Sequence, residues 1–309
     1  MGSRSMDDTD WAKYTTFAAG KRAASDYRAA FEARKINPYL DPQNFFMRES
    51  RNSAANPRST PIIIALDNSG SMGRYAKEIA EEGLGTFMKE TFARKPVSDP
   101  HIMFQVFGDV RFDKAPLQAS QFEADMTMAD QLDLIYLESG GGGNRWESYN
   151  LPWHFANFHT SADAFELDDR KGFLFTIGDE EVPENLTQAD LDKTYGKDRQ
   201  EIVMSNEDLL HSLASKYHVF HIMIEQGSHM RSNRDKVVTA WANLLGQNAI
   251  PLSDSKKLAE VLVSLMEMKT GKTPEEVVSS WKEDGTRAVV ARATSNLSTH
   301  ARTSGLITF

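Results

Sequence analysis

Residues 61–66 read Pro-Ile-Ile-Ile-Ala-Leu, an unbroken apolar run rich in β-branched side chains. The run has no polar alternation, so it predicts a strand covered on both faces, as in a parallel sheet. The signal returns as His101-Ile-Met-Phe-Gln-Val-Phe107, Gly172-Phe-Leu-Phe-Thr-Ile177, His218-Val-Phe-His-Ile-Met-Ile224 and a shorter segment over 249–252. Helical patterns separate these runs, over 73–94, 121–137, 147–160, 186–195, 205–216, 235–245 and 255–268. Residues 111–119 are expected to return as a hairpin strand. Strands alternating with helices in this way predict a doubly wound, mostly parallel α/β sheet with helices on both faces, Rossmann-like in outline.

Residues 58–270 hold that pattern as one domain. Residues 1–57 form an N-terminal extension: amphipathic helix over 8–35, then an irregular connector with Phe45-Phe46-Met47 as a docked patch. Met1-Gly2-Ser3-Arg4-Ser5 reads as an expression remnant ahead of Met6. Residues 271–309 carry a helix over 274–284, opened by Pro274, and a tail from Ala291 that is flexible or docked as an extended peptide.

The formal charge of -9 is unevenly spread. Residues 1–60 carry 10 basic and 7 acidic side chains, residues 271–309 carry 5 and 4, and the middle carries 20 and 33. A basic groove for nucleic acid is therefore not expected on the sheet domain. The absence of Cys excludes a disulfide scaffold, a thiolate zinc site and a thiol nucleophile. No apolar run is long enough to span a membrane and none reads as a signal peptide, so a cytoplasmic protein is expected.

In open α/β sheets, ligands bind beyond the carboxyl ends of the strands. Three polar segments fall there: Asp67-Asn68-Ser69-Gly70-Ser71, the loop over 140–147, and Gly178-Asp179-Glu180-Glu181. One carboxylate and two hydroxyls on a tight turn are hard oxygen donors, suited to Mg²⁺. Asp179, from another strand end, is placed to join them. The competing reading is a turn capped by its own Asp and Ser side chains.

Asp67-x-Ser69-x-Ser71 after an Ile-rich strand, followed by Met72-Gly73 and a helix, resembles the metal-ion-dependent adhesion site of von Willebrand factor A domains. The likeness covers about residues 58–270. It implies Asp67, Ser69 and Ser71 as a first metal loop and Asp179 as a contribution from the third, with Mg²⁺ as the ion and Mn²⁺ or Ca²⁺ as alternatives. The second loop departs from the family's Gly-Gly-Thr: Gly141-Gly142-Gly143 is followed by Asn144, with Glu147 three residues on, so Asn144 or Glu147 stands in for the usual Thr. The third loop departs too, with Thr176-Ile177-Gly178-Asp179 where Thr-Asp-Gly is common. These features resemble bacterial or phage intracellular variants.

The resemblance implies a non-enzymatic, Mg²⁺-dependent adaptor that binds a protein partner through an Asp, a Glu or a C-terminal carboxylate. It also implies a MoxR-type AAA+ ATPase as a partner; the tail ending in Leu306-Ile307-Thr308-Phe309 could dock such a partner or engage the chain's own site, giving self-association. The alternatives are a structural component of a phage or contractile particle and a Mg²⁺-dependent phosphoryl hydrolase with Asp67 as nucleophile. The hydrolase would want a carboxylate where Ser69 stands. No P-loop or dinucleotide fingerprint is present. His154 and His159, five apart on a helix, lack the spacing of a zinc pair, and His218 and His221 point to opposite faces of a strand; all four read as packing or surface residues. Thr127 and Thr176 read as structural, Trp146 and Trp153 as core or loop-closing residues, and Glu180, Glu181 and Glu184 as a solvated rim or a guard.

Overall fold

The computed structural model describes residues 35–72, 74–79, 83–125, 127–137 and 147–297. The N-terminal helix expected over 8–35, apart from its last residue, the Gly-rich loop with Asn144 and Trp146, and the last twelve residues of the tail lie outside them.

The strands are β1 (Arg48–Ser50), β2 (Thr60–Asp67), β3 (Pro100–Phe107), β4 (Leu117–Ala119), β5 (Thr160–Ala162), β6 (Gly172–Gly178), β7 (Tyr217–Ile224) and β8 (Ala249–Leu252). The helices are α1 (Arg74–Glu78), α2 (Leu84–Arg94), α3 (Thr127–Leu132), α4 (Asn150–Phe158), α5 (Asp163–Glu166), α6 (Gln188–Tyr195), α7 (Asn206–Leu213), α8 (Ser228–Leu245), α9 (Leu258–Lys269), α10 (Pro274–Ser279) and α11 (Asp284–Thr294).

Six strands form one sheet in the order β4-β3-β2-β6-β7-β8, all parallel except β4, which runs antiparallel to β3. The expected α/β architecture is therefore the observed one: a mostly parallel central sheet between helices. β2 is central, with Ile62 between Ile102 and Phe173 and Leu66 between Val106 and Ile177. The chain leaves β2 toward β3 on one side and returns to β6 on the other, so the order reverses between β2 and β6. The carboxyl ends of these two strands flank the crevice where doubly wound sheets take their ligands.

Every residue of β2 is buried, and successive side chains enter opposite layers. Ile62, Ile64 and Leu66 join Phe87, Met88, Leu262 and Leu265 on one face. Ile63 and Ala65 join Tyr149, Trp153, Leu210 and Trp241 on the other. His218 and His221 divide in the same way: His218 packs on Phe173, while His221 stacks on Trp241 with ring centroids 3.6 Å apart. α9 is buried on almost every side, which explains its nearly continuous apolar sequence.

Several elements differ from expectation. Residues 121–137 were expected to be mainly helical, yet only α3 is helix, and Glu123 instead bridges Ile102 at the sheet edge. Side-chain bonds hold this extended path. Gln131 accepts from the Gln121 N–H at 2.7 Å, and Gln118 brackets the Tyr136 backbone at 2.7 and 2.9 Å. The hairpin strand shrinks to β4. α8 begins at Ser228, ahead of the expected 235, with a kink at Asn233. The tail is helical through Thr294, because Val290 and Ala293 bury in the same core as Val277 and Trp281. Of the expected aromatic patch, Phe45 meets Phe155 edge-on, and the buried Arg48 guanidinium lies 3.6 Å over the Phe45 ring.

Glu267 is 1% exposed and anchors α9 to its neighbours. Its carboxylate accepts from Arg94 at 2.9 and 3.1 Å and from Lys272 at 2.7 Å, while Arg94 lies 3.9 Å over Trp281. Arg94→Leu leaves that carboxylate with one half-exposed Lys and is expected to cost about 3 kcal/mol in urea unfolding. Arg94→Leu/Glu267→Leu should recover much of the loss; a single mutant within about 0.5 kcal/mol of wild type would contradict this.

Candidate metal centre

The chain turns sharply as it leaves β2. Asp67 Oδ1 accepts the Ser69 N–H at 2.6 Å, and the Asn68 N–H still bonds the Phe107 carbonyl at 2.9 Å, extending the β3 pairing by one residue. The turn sets the Ser69 and Ser71 hydroxyls 2.9 Å apart. Ser71 Oγ donates toward Asp179 Oδ1 at 2.6 Å and Glu180 Oε1 at 3.0 Å, joining the ends of β2 and β6. α8 fixes the loop from outside: the Ser228 N–H bonds the Ser71 carbonyl at 3.2 Å, and the His229 N–H bonds Asp179 Oδ2 at 3.0 Å.

A layer of buried aromatic residues lies beneath. Tyr149 Oη donates to Asp67 Oδ2 at 2.7 Å and accepts the Glu180 N–H at 3.2 Å. The Tyr149 ring is edge-on to Phe107, His221 and Trp241, and Trp241 Nε1 donates to the Glu180 carbonyl at 2.9 Å. Two glycines make the close approach possible. A Cβ at Gly178 would lie 2.1 Å from Tyr149 Oη, and one at Gly227 would lie 2.2 Å from Asp179 Oδ2.

The electrostatics are one-sided. Asp67, Glu147, Asp179 and Glu180 are all buried, and among the described residues none of the four forms an ion pair. Burial and the neighbouring Asp179 and Glu180 hold the Asp67 carboxyl well above its ordinary range. Burial, then Asp67 and Glu180, does the same to Glu147. Burial raises Asp179 against the opposing bonds from Ser71 and His229, and pushes Glu180 up to about 7. Glu147 Oε2 and Glu180 Oε2 are buried without a hydrogen-bond partner. A set of carboxylate and hydroxyl oxygens with two orphaned acceptors, and with no ion pair to its four carboxylates among the described residues, fits a hard divalent cation.

No family model matches the chain, and no curated protein matches it. Three similar solved structures are a von Willebrand factor type A protein from Catenulispora acidiphila (16% identity, 70% of this chain and 43% of that one, TM-score 0.38), the pilus adhesin SpaC from Lactobacillus rhamnosus GG in an open conformation (8%, 72% and 31%, 0.41) and proximal thread matrix protein 1 from the mussel byssus (14%, 69% and 48%, 0.42). The chain spans less than half the length of each of these three.

The structure brings Asp67, Ser69, Ser71 and Asp179 together, with Glu147 buried within electrostatic reach of Asp67 and Glu180. Asn144 lies outside the described residues. Glu180, expected on a solvated rim or as a guard, turns its side chain inward to Ser71. Only the doubled acid after a buried strand hinted at this. Tyr149 carried no sequence signal. Glu181 and Glu184 are in ion pairs, with Lys236 and Arg111 respectively, and Thr176 bonds His221 inside the sheet. Among the described residues no helix is long and apolar enough to cross a membrane.

Proposed function

We propose that this chain is a divalent-cation-dependent protein-binding module of the von Willebrand factor A type. The observation that carries the reading is the set of four buried carboxylates, none in an ion pair among the described residues, gathered about two hydroxyls at the reversal point of the sheet. Asp67, Ser69 and Ser71 would hold the ion, with Asp179, Glu180 and Glu147 supplying negative charge around it. Mg²⁺ would supply a hard positive centre that keeps some coordination positions for water or an incoming oxygen ligand. The chain's own part is to hold the donors still: Tyr149 and the Ser69 N–H orient the Asp67 carboxylate, and the first turn of α8 orients Asp179. The natural occupant of an open position is an Asp, Glu or terminal carboxylate of a protein partner. Asp67 is a poor candidate for a covalent nucleophile, because it is fully buried and both its oxygens are engaged.

A displayed random-peptide library, panned on the protein in Mg²⁺ and eluted with chelator, tests the reading. The eluted pool should be enriched in Asp and Glu, and Asp67→Asn should yield no such pool. Peptides without acids, or binding indifferent to chelator, would overturn it.

A further inference from the structure

A second cluster lies at the end of α4. One ligating atom from each of His154, His159 and Glu201 falls within 4.8 Å of the other two. Both histidines are 1% exposed, and the Glu201 side chain is 8% exposed. Five-residue spacing would splay two rings on a continuous helix. His159, however, is the first residue beyond α4, with φ -121° and ψ 18°. Its ring leaves the helical path and stacks on Tyr195 at 4.5 Å, with the His154 ring 5.2 Å from the same Tyr.

The hydrogen bonds define where protons sit. His159 Nδ1 is 2.8 Å from the Phe46 carbonyl, and His154 Nε2 is 3.1 Å from the Ile202 carbonyl. A carbonyl only accepts, so both nitrogens carry hydrogen. In neutral rings the lone pairs are then His154 Nδ1, which accepts the Tyr195 hydroxyl at 3.2 Å, and His159 Nε2. Burial pushes His154 down to about 4, so it is neutral at ordinary pH. His159 Nε2 faces Glu201 Oε2 at 3.1 Å. A lone pair and a carboxylate at that distance need a positive centre between them, either a proton or a metal ion. A ring N–H donated to a backbone carbonyl is also the outer-shell arrangement that orients ligating histidines.

We propose that His154, His159 and Glu201 form a second metal site, separate from the acidic one, that takes a borderline transition ion such as Zn²⁺. Two imidazoles and one carboxylate match the ligand types of three-protein-ligand zinc sites, with the fourth position left to water. Zn–N bonds of about 2.0 Å put tetrahedral ligand atoms roughly 3.3 Å apart, inside the 4.8 Å that bounds the three groups here, so the site tightens by side-chain rotation as the Tyr195 hydroxyl releases His154 Nδ1. Binding replaces the proton shared by His159 and Glu201: the ion enters, one proton leaves, and no bond to carbon changes. The ion would clamp residues 42–46 to the body of the protein. That segment is already tied there by Phe46 to His159 and by Gln43 to Lys193 and Arg199.

The full-length protein, stripped with chelator, is titrated with Zn²⁺ and with Co²⁺ in excess Mg²⁺, in wild type and in Asp67→Asn. One equivalent of Zn²⁺ should bind both, with Kd below about 1 µM, and Co²⁺ should give the visible d–d absorption of a four-coordinate site. Glu201→Gln keeps the hydrogen bond to His159 and His159→Asn keeps a donor for Phe46. Each should weaken Zn²⁺ binding by about 100-fold or more while circular dichroism stays unchanged. Two results would overturn the site: no Zn²⁺ uptake in Asp67→Asn, or Zn²⁺ binding unaffected by Glu201→Gln and His159→Asn. Either would leave the cluster a proton-bridged buried triad.

Discussion

Gly227→Ala is expected to destabilise the protein by about 3 kcal/mol or more and to abolish its response to Mg²⁺. The added Cβ would stand 2.2, 2.3 and 2.4 Å from Oδ2, Cβ and Cγ of Asp179, less than any real contact allows. Asp179 cannot step aside, because it is fully buried and fixed by Ser71 on one side and the His229 N–H on the other. Relief requires α8 or the end of β6 to move, and both hold the site. Gly285→Ala is the control. A Cβ there meets nothing within 4 Å, and Gly285 lies inside α11, so that change should be neutral or stabilising by up to about 1 kcal/mol. Thermal melts of the two variants with and without Mg²⁺ make the comparison. Gly227→Ala melting like wild type would show that the packing around Asp179 is looser than described.

Glu180→Gln should act in the opposite direction. In the metal-free protein Glu180 is raised to about 7 from an ordinary 4.5, by burial first and by Asp179 among its neighbours. A carboxyl raised on folding contributes its full stability below its unfolded value and loses it as pH climbs through the folded value. Between about pH 4.5 and pH 8 the loss is about 3 kcal/mol. Gln keeps an oxygen for Ser71 and removes the charge from the orphaned position. Metal-free Glu180→Gln should therefore be more stable than wild type near pH 8, by up to about 3 kcal/mol, and indistinguishable from it near pH 4.5. In Mg²⁺ the advantage should shrink or reverse, because wild type gains more from the cation. Buried neutral histidines impose an acid limb of their own. His101 and His154 are lowered to about 4 and His221 is well below its ordinary value, so stability also falls as pH drops below about 6.5. Comparing the variant with wild type at each pH cancels that contribution. Urea unfolding with chelator gives the answer, and equal stability near pH 8 would mean Glu180 is not held in a repulsive cluster.

The elements whose signals are local were legible in the sequence. β2, β3, β6 and β7 announce themselves because a strand buried on both faces has no polar alternation to confuse it. The turn that gathers Asp67, Ser69 and Ser71 was legible because it is written in five consecutive residues. What depends on distant partners was not. The inward turn of Glu180 depends on Ser71, 109 residues away. Tyr149 is one residue of a helix start that becomes a site residue only when β2 and β6 lie side by side. Residues 121–137 carry helical periodicity, but Gln118 and Gln131 offer the backbone extended partners that no period reveals. His154 and His159 are packing residues, as their sequence suggests, and they meet at Tyr195 because the helix ends at Phe158 and His159 leaves its path.

A divalent cation is the proposed occupant of the buried acids around Ser69 and Ser71. Calorimetric titration of chelator-treated protein with Mg²⁺, near pH 8, tests it most directly. Wild type should give a saturable isotherm near one equivalent, absent in Asp67→Asn and in Ser69→Ala/Ser71→Ala. A flat titration in wild type, or one that all three proteins share, would contradict it.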